Sequence, residues 1–137
     1  MKVKILEGGF APTIAYQSDA GFDIYSPIDV LIIRGSRRQI KLGISIEIEK
    51  DEVAIMSERS SQAINSGLTS IGNIVDSGYR GEVSIILANT GEKDIDIHRG
   101  DKIGQIVVMK LGEREVIIVD ELSATERGEK AHGSSGK

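Results

Sequence analysis

The chain has 137 residues, a formal net charge of −4 and no cysteine. That length suits a single domain with a core of its own, and the missing thiols exclude disulfides and thiolate-bound metals. The acidic balance argues against a broad basic surface for nucleic acid, whose binding rests on neutralising phosphates with Lys and Arg.

In chain order, short β-rich runs fall first at 3–6 and 28–33, with Gly8-Gly9 and Arg34-Gly35-Ser36 as turns. The clearest pattern is 39–49, where Ile40, Leu42, Ile44, Ile46 and Ile48 alternate with Lys41, Gly43, Ser45, Glu47 and Glu49. Period-two alternation marks a half-buried strand. Further runs at 53–56, 83–88, 95–97, 103–109 and 116–119 are punctuated by Gly78, Asn89-Thr90-Gly91, Arg99-Gly100-Asp101 and Gly112. Many short strands at this spacing predict an all-β barrel or sandwich. Residues 60–67 break the pattern: Ser60 reads as a helix cap and Gly67 as a stop, which predicts one short helix with free N–H groups beside Arg59. Residues 124–137 have no apolar periodicity and are expected to be mobile without ligand. The expected division is a folded domain at 1–123 and a tail at 124–137. Neither apolar stretch, 30–33 or 103–109, could span a bilayer, and the N-terminus lacks the order of a signal peptide. A soluble cytoplasmic protein with no membrane contact is the expectation.

The run from Gly72 to Glu82 places an aspartate, Asp76, three positions before Tyr79 among glycines, at the foot of an apolar strand. A carboxylate there can accept a proton from water, although an ordinary hairpin with a charged tip has the same look. Four more fragments surround it in order. They are Asp19-Ala20-Gly21-Phe22-Asp23, Arg59-Ser60-Ser61-Gln62-Ala63, Gly100-Asp101-Lys102-Ile103-Gly104-Gln105, and Arg127-Gly128 with Gly133-Ser134-Ser135-Gly136.

Together these five fragments resemble the motifs of the trimeric dUTPase family, over nearly the whole chain. The resemblance implies a jelly-roll-like β-barrel with one short helix and a flexible C-terminal tail that acts as a lid. It implies hydrolysis of dUTP to dUMP and pyrophosphate. In that scheme Asp76 is the general base for the attacking water and Tyr79 lies flat against the deoxyribose. Main-chain groups of Gly72 and Asn73 recognise uracil; Asn73 stands where glycine is more usual, and Asn tolerates positive φ better than other side chains. Arg59, Ser60, Ser61 and Gln105 face the phosphates, because a triphosphate presents many acceptors to a guanidinium fork, a hydroxyl or an amide. Asp23 holds Mg²⁺ through water, in keeping with the small number of carboxylates that ion takes. The tail brings Arg127 to the γ-phosphate, and His132, Gly133, Ser134 and Ser135 close over the base. His132 stands where relatives carry a phenyl ring, and imidazole still stacks with less area. Glu58 replaces a common proline and Ser61 a common glycine.

The family resemblance also implies a homotrimer with sites shared between subunits, and it leaves room for a regulatory protein partner such as a repressor. A dCTP deaminase of the same fold is the nearest rival, suggested by Arg59-Ser60-Ser61 and Gly67-Leu68. Aligned on Asn89 and Gly91, however, Ile86 stands where that enzyme needs a glutamate base.

Overall fold

The structure, a computed structural model, describes residues 1–126, 128 and 129. Among them the chain forms eleven strands and one helix. In order these are β1 (Lys2–Ile5), β2 (Phe22–Tyr25), β3 (Val30–Ile32), β4 (Arg37–Lys41), β5 (Ile44–Glu47) and β6 (Glu52–Ser57). Helix α1 (Ser60–Ser66) follows, then β7 (Leu68–Ile71), β8 (Ile74–Asp76), β9 (Ser84–Asn89), β10 (Ile95–Ile97) and β11 (Lys102–Lys110). All strand pairs are antiparallel. Four sheets wrap one core in a jelly-roll-like β fold: β2-β11-β6-β8, β4-β9-β7, β1-β5 and β10-β3. Ile24, Ile40, Ile44, Met56, Ile85 and Ile106 are fully enclosed, and each such side chain contributes about 1.5–3 kcal/mol of burial.

The alternating run 39–49 is not one strand. Gly43, at φ 65°, turns the chain between β4 and β5, a backbone conformation that strains any side chain with a Cβ. β4 then pairs with β9 and β5 with β1. The corner keeps the parity of the pattern, so Ile40, Leu42, Ile44, Ile46 and Ile48 are all buried. The period was right and the element was two.

Two other expectations change. The helix begins at Ser60 and Arg59 occupies its N-cap position, with no side-chain cap bond, while Gly67 ends it. Ser60 is therefore a first-turn residue. The run 116–119 forms no strand; Val116 and Ile118 are 89% and 95% exposed. Its β-branched residues suit a strand, but among the described residues no neighbouring edge pairs with them. Among the described residues no helix is long and apolar enough to cross a membrane.

Candidate active site

Strand β11 organises the first half of the site. Gln105 lies opposite Asp23 of β2 on one side and opposite Ser57 of β6 on the other. Three of the five sequence fragments therefore meet on neighbouring strands, with Arg59 leaving the end of β6. A bulge between Lys102 and Gly104 shifts the register, and Ile103 and Gly104 are both buried in consequence. A bulge reverses the alternation beyond it. Lys102 and Gln105, three apart, thus line one cavity of about 450 Å³ with Asp23, Arg59, Ser60 and Ser61. Gly21 is needed for close approach here: a Cβ on it would sit 2.7 Å from Gln105 Oε1.

The electrostatics of this cavity are already paired. Lys102 Nζ donates to Asp23 Oδ2 at 2.7 Å, and Arg59 Nε lies 3.3 Å from Asp23 Oδ1. The Asp23 side chain is only 16% exposed. The hydrogen bond to Asp23 raises the Lys102 pKa above its ordinary value, so its charge persists through neutral pH. Sequence reasoning assigned Lys102 no role. Its period-two position points it away from Gln105, and only the bulge brings the two together.

The second half is the hairpin after β7. Gly72 takes the left-handed backbone, at φ 66°. Among the described residues no side-chain-bearing residue has positive φ, so Asn73 does not use the tolerance expected of it. Its amide instead donates to Ser70 Oγ at 3.1 Å. Asp76 ends β8 opposite Val53 of β6 and is exposed. Tyr79 N–H closes a turn onto Asp76 O at 3.0 Å, and Tyr79 OH donates to Glu82 O at 3.1 Å. The ring folds against Gly81, where a Cβ would overlap it. Arg80 Nη1 braces the turn through Ser77 O at 2.6 Å and Tyr79 O at 2.9 Å. Glu82 ties its base to the β4–β5 corner, accepting from Gly43 N at 3.1 Å with Lys41 Nζ at 3.2 Å. Gly72, Val75, Asp76 and Tyr79 line a shallow cavity of about 200 Å³.

The structure thus gathers the proposed site residues into two groups, not one. Asp23, Arg59, Ser60, Ser61 and Gln105 share the first cavity; Gly72, Asp76 and Tyr79 share the second; Asn73 lines neither. Val53, beside Asp76, and Ser57, beside Gln105, are four positions apart on β6, roughly 13 Å at strand rise. Arg127, His132, Gly133, Ser134 and Ser135 lie outside the described residues.

No group of three or more His, Asp or Glu gathers as a metal cage among the described residues. Both oxygens of Asp23 face cations. That donor set does not suit direct ligation. It does suit a magnesium ion that keeps its waters and takes its other ligands from phosphates.

Residues 9–136 match the dUTPase family. The chain belongs to that family. It is 38% identical to the deoxyuridine 5'-triphosphate nucleotidohydrolase of Clostridium tetani, across 100% of this chain and 97% of the relative. The enzyme of the same name from Candida glabrata is 35% identical over 96% of this chain and 92% of its own length. Among solved structures, a mutant dUTPase of Staphylococcus bacteriophage 80alpha with dUpNHpp superposes at a TM-score of 0.93. It is 26% identical and covers 99% of this chain and 98% of that one. As a dUTPase-family chain, this one brings residues of four of the five sequence fragments to the two cavities, and the fifth lies almost wholly outside the described residues.

Proposed function

We propose that the protein is a dUTP diphosphatase, cleaving dUTP to dUMP and pyrophosphate. The observation that carries this reading is the convergence of Asp23, Arg59 and Gln105 on one cavity through the β2-β11-β6 ladder, in a chain of this family. Arg59, Lys102 and Gln105 supply the cationic and amide donors that a polyphosphate needs. Ser60 and Ser61 add hydroxyl and backbone donors in the first turn of α1. Gly72 and Asn73 present main-chain groups to the uracil, and the Tyr79 ring packs on the sugar, leaving no room for a 2′-hydroxyl. Asp76 takes the proton from a water that attacks the α-phosphorus. Magnesium, reached from Asp23 through water, supplies charge neutralisation at the phosphate oxygens when bound. Phosphoryl chemistry of this kind asks the protein mainly for position and charge.

The working unit in this reading is a homotrimer with sites shared between subunits. Two features support it. The half-sites of one chain stand apart along β6, an arrangement in which a second copy could bring phosphate-binding donors to face Asp76. The aliphatic run 116–119 is exposed and has no partner strand among the described residues, as a segment buried by assembly would be. Residues 124–137 close the site as a lid, with Arg127 on the γ-phosphate and His132, Gly133, Ser134 and Ser135 over the base; the family match extends to residue 136. Deamination is disfavoured because Ile86 of β9, opposite Gln39 and Ile71, moves no protons.

Pyrophosphate release measured side by side with dUTP, dCTP, dTTP and UTP, in magnesium, tests the assignment. Turnover of dUTP well above the other three is expected. An inert protein, or equal turnover of dCTP, overturns it.

A further inference from the structure

Glu58 sits between β6 and α1, one residue before Arg59, yet its carboxylate turns away from the phosphate cavity. Oε2 accepts from Ser70 Oγ at 2.5 Å and from Ser70 N at 3.1 Å. Glu58 N–H donates back to Ser70 Oγ at 3.2 Å. A hydroxyl has one proton and two lone pairs. Here the proton goes to Glu58, and the lone pairs take Glu58 N–H and Asn73 Nδ2. Every hydrogen-bonding position of the Ser70 hydroxyl is used, at a residue only 8% exposed.

The same residue faces the other half of the site. Its carbonyl accepts from Gln105 Nε2 at 3.4 Å and from Ser57 Oγ at 3.1 Å. At the far end, Asn73 O accepts from Met56 N at 2.7 Å. The β6–β8 ladder runs only from Val53 to Ile55 and stops at Ile74. Past it the hairpin tip is joined to the arm carrying Arg59 by the Met56–Asn73 main-chain bond and by the side-chain bonds that run from Asn73 through Ser70 to Glu58. A proline at position 58 would lack both the N–H and the carboxylate.

We propose that Glu58 is a positioning residue which, through Ser70 and Asn73, sets the base-recognising hairpin against the phosphate-binding arm and so governs selection of uracil over cytosine. The proposal rests on the nucleotide reading above. The hairpin recognises a base with main-chain groups, whose directions follow the backbone. A small shift of that backbone alters pairing to a base edge more than it alters contacts to a phosphate chain, where donors and acceptors are many. Buried side-chain networks couple their members, so removing either end of the relay releases the other.

The test compares wild type, Glu58→Gln, Ser70→Ala and the double variant, with kcat/KM for dUTP and dCTP and a melting curve for each. The dUTP-to-dCTP ratio is expected to fall about tenfold in either single variant, the worth of one charged hydrogen bond, and no further in the double. For dUTP, KM is expected to move more than kcat. Glu58→Gln keeps shape and neutral bonding, so it remains informative if Ser70→Ala does not fold. An active wild type whose ratio in Glu58→Gln stays within about twofold, or a double variant that sums the singles, overturns the positioning role alone. A wild type inert toward dUTP overturns the nucleotide reading and this proposal with it.

Discussion

Around Asp23 the ionisable side chains hold one another. Lys102 and Arg59 each face one carboxylate oxygen, Gln105 crosses over Gly21, and three strands fix the spacing. Around Asp76 the backbone is braced as firmly, by Arg80, Glu82 and the Tyr79 hydroxyl, but among the described residues no side chain pairs with the Asp76 carboxylate. One half is a closed electrostatic unit and the other is an open face. The difference fits the tasks proposed for them. A polyphosphate site needs cations and donors held in place before the ligand arrives, whereas a general base must keep a lone pair free for water.

The sharpest way to break that comparison is Asp76→Asn. If the open carboxylate is the base, turnover of dUTP is expected to fall by about 10²–10⁴-fold while binding is retained, as read by pyrophosphate release and by titration with a non-hydrolysable analogue. Undiminished release would remove Asp76 from its role. Deleting the residues after Ala124 tests whether the open face needs a cover. A folded protein with turnover reduced on the order of 10²-fold is expected, from lost alignment and admitted water; normal turnover would refute the lid. On the closed side, Arg59→Lys keeps the charge but loses the fork. KM for dUTP is expected to rise roughly ten- to hundredfold, about 1.5–3 kcal/mol. A variant with unchanged KM would leave Lys102 and Gln105 as the sufficient donors.

How much of this was visible beforehand depends on which physical rule governs each residue. Period-two alternation located the buried residues of 39–49 because burial parity is local. It missed the corner at Gly43 because the parity survives the turn. The short strands β7 and β8 were absent from the reading: Leu68–Ile71 and Ile74–Asp76 are held in place by β9 and β6, partners distant in sequence. Resemblance named Asp23, Arg59, Gln105 and Asp76 as candidates, and these line the two cavities; it gave no role to Lys102, whose place in the first depends on a bulge. Asn73 was expected to replace a glycine conformationally. In the fold Gly72 supplies that conformation, and Asn73 contributes a side-chain bond. Edge pairing, bulges and side-chain relays are properties of the assembled sheet, and no window of sequence contains them.

A smaller effect separates the two halves by pH. The hydrogen bond from Ser70 holds the Glu58 carboxyl below its ordinary range. A folded-state pKa below the unfolded one contributes stability above the unfolded value, near 4.3 for glutamate, which is lost as pH falls through the folded value. Melting curves of wild type and Glu58→Gln are therefore expected to differ at neutral pH and to converge as the solution is acidified below the ordinary carboxylate range. A gap that persists in acid would mean that the carboxylate's charge is not what holds the relay.

The smallest expected change concerns what covers the open half. In the proposed lid His132 takes the place of an aromatic, so His132→Phe exchanges imidazole for a larger apolar ring. Stacking on a base gains area by this change, worth up to about 1 kcal/mol, so activity toward dUTP is expected to hold or to rise by no more than roughly fivefold. Imidazole also titrates near neutral pH, and a protonated ring would carry charge onto the base where phenyl carries none. The pH profile of kcat/KM between about 6 and 8 should therefore flatten in the variant. A large loss of activity on His132→Phe would assign the imidazole a polar contact in place of stacking. The open face would then depend on the tail for chemistry as well as for cover.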